Sequence, residues 1–540
     1  MESIRVERLD HLGIVASVIK DLGIPEMIDA RLGLHEQEEI TAGEAVAGMI
    51  LNGLGFSHRP LSLSPQFFAN KPLDVLFRPG VEAAMFNRFK LGRSLDEVYA
   101  YGCDVLFSEI ALAVCRQEAI DQRFHHLDPT SFSLSGDYIA ESDEHAIAIT
   151  HGYAKDHRPD VKQAVLALMV AQDGGVPLMR KSWDGNASDT KVFQERAQAL
   201  IETFKASPSP RYLVADSKLY HEDNALSLKA LAFITRLPNT LKLVRQVIDQ
   251  ALEVDVWQDI DERHRYQCLE LCHYGMVQRW LVVYSQAALW RAEATVTQAQ
   301  QREDSSIQKQ LFHLQAQRFA SQALAQEALA SLSKTWKYPQ VVASQLSEHK
   351  RYAKKGRPPP DTPVKAIEWQ IQAHVQPNTA RIGQAKQGGA GFVLGTTIAA
   401  DALSDIEVIH GYKGQSKAEG GFRFLKDPLF FVSSLFVKKP CRLQGLLMVM
   451  TLALLVYSVA QRRLRKEWAR LNETIPNQIN QPTSRPTLRW VLQVLDGIEC
   501  VHVVLDGETQ DLITGLQEVK IKILRLFGEQ VCRMYQLPSG

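Results

Sequence analysis

The sequence predicts an α/β protein, with a mixed-sheet core interrupted by an insertion domain and flanked by helical N-terminal and C-terminal regions. Three features predict it. From Phe124 to Arg236, short apolar runs alternate with turn and helix-capping residues. The chain before residue 118 and after Lys426 is patterned for helices. Between Pro238 and about Gly389 the character changes, and then one more apolar strand returns, Gly391 to Thr397.

Residues 1–118 read as helical. Met1 to Leu12 alternates charges with isolated apolar residues and carries no signal-peptide pattern. Thr41-Ala-Gly-Glu44 is a capping box ahead of Ala45 to Leu54, and Ser94-Leu-Asp-Glu97 repeats the pattern before Val98 to Cys115. Pro60, Pro65, Pro72 and Pro79 break the chain between them, and Arg88, Lys90 and Arg93 adjoin the second helix. This suits a compact helical DNA-binding unit. It equally suits a helical unit that packs on the core or on a second subunit.

Residues 119–237 supply strands at Phe124 to Ser133, Gln163 to Ala171 and Pro177 to Ser182, with Asp173-Gly-Gly175 as a hairpin turn. A helix capped by Ser188 or Asp189 reaches Phe204. Strands at Tyr212 to Ala215 and Ala232 to Arg236 flank a short helix, Asn224 to Ala230. Residues 238–389 form the insertion: strand-like Val254 to Tyr284, a Gln- and Ala-rich helix from Ala287 to Leu332, and the basic run His349 to Pro360. The core resumes over 390–470, where a helix from Phe430 to Val437, the apolar helix 443–460 and the basic segment to Arg470 are expected to back the sheet and extend a DNA surface. In 471–540, Thr474 to Pro486 is a linker; Thr487 to Leu495 and Glu518 to Phe527 are helical around a strand, Glu499 to Leu505.

Composition narrows the class. With 45% hydrophobic and 23% charged residues the chain is globular, and 61 basic residues balance 61 acidic ones. Any nucleic-acid contact must therefore come from local patches. Seven scattered cysteines indicate reduced thiols in a cytoplasm. His264, Cys268, Cys272 and His273 lack the paired short spacing of a zinc site, and the cysteines read as buried thiols. Leu443 to Ala460 has no charge and is followed by Arg462, Arg463, Arg465 and Lys466. Its shortness for a span, and its Gln444, Thr451 and Ser458, favour a buried core helix over a membrane segment.

The stretch that carries chemistry is Tyr412 to Lys426. Tyr412, Gln415, Glu419, Phe422 and Lys426 recur at three- and four-residue steps, so on a single helix they share a face. The spacing resembles the Tyr-x2-Arg-x3-Glu-x6-Lys signature of DDE transposases of bacterial insertion sequences, family four and its relatives. Tyr412, Glu419 and Lys426 match; Gln415 stands where the signature has arginine. The two aspartates the resemblance requires are Asp128, in Phe124 to Ser133, and Asp216, directly after Tyr212 to Ala215. The order of strands and helices resembles a ribonuclease-H-like sheet, and the insertion resembles the β-rich one of hairpin-forming transposases.

That resemblance implies catalysis by Asp128, Asp216 and Glu419 as ligands of two Mg2+ ions, with Mn2+ as a substitute: Asp128 bridging both, Asp216 and Glu419 holding one each. It implies phosphate contacts from Tyr412, Gln415 and Lys426, with Arg423 or Lys413 compensating for the missing arginine. Lys354, Lys355 and Arg357 lie in a Lys-Gly-Arg-Pro run that resembles an AT-hook, a minor-groove contact, although a basic loop is also commonly just solvated. Trp257, Trp280 and Trp290 are alternative candidates to stack on a flipped base. The implied partners are double-stranded DNA, as terminal inverted repeats and target, and a second copy in a homodimeric synaptic complex, in the bacterial cytoplasm at the nucleoid and not in a membrane. The alternative is a catalytically impaired, transposase-derived DNA-binding protein.

Overall fold

A computed structural model describes residues 3–538 except 58, 135–137, 139–145, 153–159, 189–200, 203, 205–208, 354–358, 360–362, 428–429, 431–436 and 506–507. The protein is mixed α/β, with a large mixed sheet and many helices. Two compact units divide it: Met1–Thr235 with Tyr274–Met276 and Ala400–Gly540, and Arg236–His273 with Val277–Ala399.

In the first unit the sheet is centred on β2 (Phe124–Leu134). Beside it run β3 (Lys162–Ala171) and β4 (Pro177–Trp183), each antiparallel to its neighbour. On the other side β5 (Tyr212–Ala215) is parallel to β2, and β6 (Phe233–Arg236) is parallel to β5. The order is β4-β3-β2-β5-β6. β3 is apolar along its whole length because both its faces are covered. Leu166, Leu168 and Val170 join the main core with Phe132 and Leu134, and Val165 and Ala167 meet Trp183 on the reverse. The hairpin between β3 and β4 turns at Gly174 and Gly175, with φ of 78° and 67°, a region that glycine enters without strain.

The N-terminal helices α1 (Leu12–Asp21), α2 (Ile24–Leu32), α3 (Ala42–Leu54), α4 (Arg88–Tyr101) and α5 (Cys103–Gln117) belong to the same core. The Thr41 capping box forms as the sequence predicts, Glu44 N donating to Thr41 Oγ1 at 3.0 Å and Thr41 N to Glu44 Oε2 at 2.9 Å. The second capping box does not. Asn87 caps α4 instead, accepting from Phe89 N and Lys90 N, so Ser94 is buried mid-helix. Gly102, at φ 108°, then breaks the expected single helix into α4 and α5, bent by 87°.

Before α1 the chain is not helical: β1 (Ser3–Arg8) is a strand. Its alternation of charged and apolar residues was the signal for it.

The second unit has strand order β12-β9-β8-β7: β7 (Gln258–Asp261), β8 (His264–His273), β9 (Met276–Ser285) and β12 (Gly391–Thr396), with β12 antiparallel to β9. Helix α6 (Lys242–Val254) precedes them. The predicted Gln- and Ala-rich helix is two, α7 (Gln286–Ala316) and α8 (Gln322–Ser333), separated where Phe319 pairs with Trp369. Trp369 belongs to a ribbon the sequence did not signal, β10 (Pro339–Tyr352) with β11 (Val364–Pro377). Most of the ribbon is exposed, so no apolar alternation marks it. Helix α9 (Thr379–Gly388) leads from it into β12.

Back in the first unit, α10 (Asp405–Lys413) and α11 (Ser416–Leu425) precede the long helix α12 (Pro440–Leu471). The most apolar window of α12 is 89% buried, which makes it the central helix of the core. The basic residues after it were expected to extend a DNA surface. Two of them do not. Arg462 and Arg463 are ion-paired inward, to Asp173 at 2.6 Å and to Glu118 at 2.6 Å. The expected helix Phe430 to Val437 falls largely outside the described residues, as does the helix from Ser188 to Phe204.

In the C-terminal part the expected linker contains a two-residue pairing of β13 (Ile475–Pro476) with β14 (Pro482–Thr483). Next come α13 (Leu488–Val494), β15 (Glu499–Leu505), β16 (Glu508–Thr514), α14 (Glu518–Arg525) and α15 (Glu529–Met534). β15 pairs antiparallel with both β16 and β1. Tyr535, fully buried, donates its hydroxyl to Asp10 O at 2.6 Å.

Candidate active site

The parallel register of β2 and β5 pairs Phe124 with Tyr212 and runs on to Leu127 opposite Ala215. One residue further on each chain stand Asp128 and Asp216. Neighbouring strands lie about 4.8 Å apart, and residues in register share a face, so the two carboxylates are set side by side by backbone pairing alone. Both are half-buried. Asp216 is oriented further: its Oδ1 accepts from Lys218 N at 3.0 Å, and Thr235 Oγ1 donates to its carbonyl at 2.8 Å.

Glu419 stands on α11, which lies beside β2. Two contacts fix how that helix lies along β2. Gln415 Nε2 donates to Leu127 O at 3.4 Å, and Lys426 Nζ stands 5.7 Å from the centre of the Phe132 ring. From residue 415 to 426 a helix rises about 16 Å at ~1.5 Å per residue; from 127 to 132 a strand covers about 17 Å at ~3.3 Å per residue. Helix and strand therefore run alongside one another, and Glu419, about 6 Å beyond Gln415, comes level with Asp128 and Pro129. Ala418, Phe422 and Leu425 bury the face of α11 that meets the sheet, while Glu419 itself is exposed.

The single helix expected from Tyr412 to Lys426 is broken. α10 ends at Lys413 and α11 begins at Ser416. Across the joint, Gln415 N, Lys417 N and Ala418 N donate to the third residue back, at 2.9, 2.8 and 3.1 Å, a tighter winding than the α-helix. Tyr412 is half-buried at the end of α10, and Gln415 is only 6% exposed. Arg423 and Lys413 are exposed, so they are open to solvent as the compensating cations would have to be. Lys354, Lys355 and Arg357 lie outside the described residues; Lys350, Arg351 and Lys365 flank them on the exposed ribbon.

Three residues here had no clear signal in the sequence. His126 receives Gln415 and is backed by Gln172, and only the position of His126 two residues before Asp128 hinted at the first. Lys417 is the third. Burial, and then the nearby Arg465, lower its pKa, a pairing of two cations that favours an anion beside them.

Among the described residues, no group of three or more His, Cys, Asp or Glu side chains is arranged to hold a metal ion. Asp128 and Asp216 are adjacent, and Glu419 is level with them without closing the set. Two carboxylates nonetheless suit Mg2+, which keeps several waters and takes one or two protein oxygens. His264, Cys268 and Cys272 stand four apart on β8, about 13 Å from one to the next, too far to share an ion, and the two thiols are exposed and not buried as expected, because they lie on the solvent side of β8. Of the tryptophans, Trp280 is fully buried with its Nε1 donating to Gln278 Oε1 at 3.0 Å, Trp257 lies under Arg265 at 4.6 Å, and Trp290 is 64% exposed.

Residues 4–112 match a family described as a domain of unknown function, DUF4277. No curated protein matches the sequence. A solved structure of a piggyBac transposase synaptic complex with hairpin DNA is similar to this chain at 11% identity and a TM-score of 0.25. The match covers 52% of this chain and 60% of that one. A score that low carries no argument about chemistry.

Proposed function

We propose that the chain is a DNA transposase that cleaves and joins phosphodiesters with Asp128, Asp216 and Glu419, on a sheet of the ribonuclease-H type. One observation carries this reading: Asp128, within β2, and Asp216, directly after β5, stand one residue beyond the parallel register of those adjacent strands, and the helix bearing Glu419 lies along the strand bearing Asp128. The strand order β4-β3-β2-β5-β6 supports the sheet type.

In this reading Asp128 and Asp216 would hold Mg2+, with Glu419 as the third carboxylate, and the ion when bound would supply charge stabilisation for an in-line displacement at phosphorus. The chain's own part is positioning. Lys426, over the far end of β2, and Tyr412 hold phosphates beside the scissile bond. Lys417 and Arg423 bring positive charge to α11, and Lys413 to the end of α10. The duplex belongs to the element's inverted ends, bound by a homodimer.

The test is cleavage of a labelled duplex carrying a flanking inverted repeat, with Mg2+ or Mn2+, by the full chain and by Glu419→Gln and Asp128→Asn. Metal-dependent nicking lost in both variants is the expected result. Binding without nicking in all three proteins would favour the second reading, a DNA-binding protein without cleavage, to which the incomplete closure of the three carboxylates lends weight. Neither binding nor nicking would sink both.

A further inference from the structure

We infer that Gln415 is a positioning residue: seated between His126 and the Leu127 carbonyl, it holds the helix of Glu419 in place along the strand of Asp128, and does not grip DNA. The seat is built from three elements. His126 on β2 is fully buried, and Gln415 is 6% exposed. His126 Nδ1 lies 3.2 Å from Gln415 Oε1, and its Nε2 lies 3.2 Å from Gln172 Oε1. Gln415 Nε2 donates to Leu127 O at 3.4 Å.

The amide nitrogen of Gln415 is committed to Leu127, which leaves its oxygen to accept from the Nδ1–H of His126.

Gly414 completes the fit. A Cβ there would come 2.6 Å from Gln172 Oε1 and 2.8 Å from the His126 ring, so the joint between α10 and α11 sits directly on the imidazole. On the far side, a Cβ on Gly175 of the hairpin would come 3.5 Å from Lys417 Cβ. One turn along, Glu419 N donates to Gln415 O at 3.3 Å, which ties the candidate ligand to the seated residue. A guanidinium in place of the amide has no acceptor to offer His126 Nδ1 and would be a charge at a site only 6% exposed, which accounts for glutamine where the resembled signature has arginine.

This inference rests on the cleavage reading above, and the test separates the two. The full chain is compared with Gln415→Met, equal in length and unable to hydrogen-bond, with Gln415→Arg, and with Gln172→Leu, which removes only the outer support. Duplex affinity, cleavage rate at saturating duplex and amide exchange over residues 416–425 are measured. Gln415→Met is expected to keep affinity within about twofold, lose at least tenfold in cleavage rate and exchange faster over 416–425. Gln172→Leu should move in the same direction by less, and Gln415→Arg should lose more. Weakened duplex binding with unchanged exchange, or faster cleavage by Gln415→Arg, overturns the proposal. Should the unmodified chain bind and never cleave, the cleavage reading fails, and the exchange data alone decide: faster exchange in Gln415→Met upholds the seat, and unchanged exchange overturns it.

Discussion

Arg462, in the second half of the long apolar helix, forks onto Asp173 in the β3–β4 hairpin, with Nε to Oδ1 at 2.8 Å and Nη2 to Oδ2 at 2.6 Å. The same guanidinium donates to Glu118 O at 2.9 Å and Ala119 O at 3.2 Å. Burial alone would raise the pKa of Asp173, but Arg462 and the Asp121 amide outweigh it, and the carboxyl ends below its ordinary value.

Removing that fork leaves a partly buried carboxylate with the Asp121 amide in place of three donors, and takes the Arg462 donor from two carbonyls. Arg462→Ala is expected to cost about 3–5 kcal/mol in urea unfolding. Arg462→Lys should recover only part, because an ammonium cannot make the two parallel bonds. A loss below about 1 kcal/mol in the alanine variant would show the clamp to be dispensable.

The pH dependence of stability has a named contributor. Burial first, and then Arg211, push His125 down to about 4 from 6.5. The folded state therefore prefers the neutral ring. Its stabilising contribution is complete above about pH 6.5 and is lost as the pH falls toward 4. At ~1.4 kcal/mol per unit this amounts to about 2 kcal/mol by pH 5. In His125→Met the drop between pH 7.5 and pH 5 should be smaller by that amount; an equal drop in both proteins would remove His125 from the account.

Lys417 is expected to touch the phosphate backbone. Lys417→Ala should weaken binding to specific and unrelated duplexes alike, and reduce the slope of log affinity against log salt by about one. An unchanged slope would restrict the cation pair to a structural part.

The tryptophans separate by burial. Trp280→Ala should cost about 3–5 kcal/mol, whereas Trp290→Ala should change stability by less than about 0.5 kcal/mol. If Trp290 stacks on an unpaired base, its loss appears only with DNA, as a drop in hairpin product at unchanged stability.

Much of this was legible because it is written in local periodicity. The strands from Phe124 to Arg236 lie within a residue or two of where apolar runs and turn residues put them, and backbone pairing then brings Asp128 and Asp216 together without any side-chain signal. What stayed hidden depends on tertiary partners. The joint at Gly414 exists because of His126 and Gln172, far away in sequence. Asn87 outcompetes Ser94 as a cap although both are plausible N-caps. The charges after the apolar helix looked like a surface, and only the fold shows Arg462 and Arg463 turned onto Asp173, Glu118 and Asp21.

The pairing of Ser3 with Val504 has a consequence for how the protein is made. Almost all of the chain must leave the ribosome before β1 meets its partner, roughly half a minute to a minute and a half at ~5–20 residues per second. Throughout that interval Ile4 and Val6, still 71% and 49% exposed once folded, sit on an open strand edge able to pair with another nascent copy. Yield in a host should therefore respond to holdase chaperones and to slower initiation more than to any stabilising change in the sheet core.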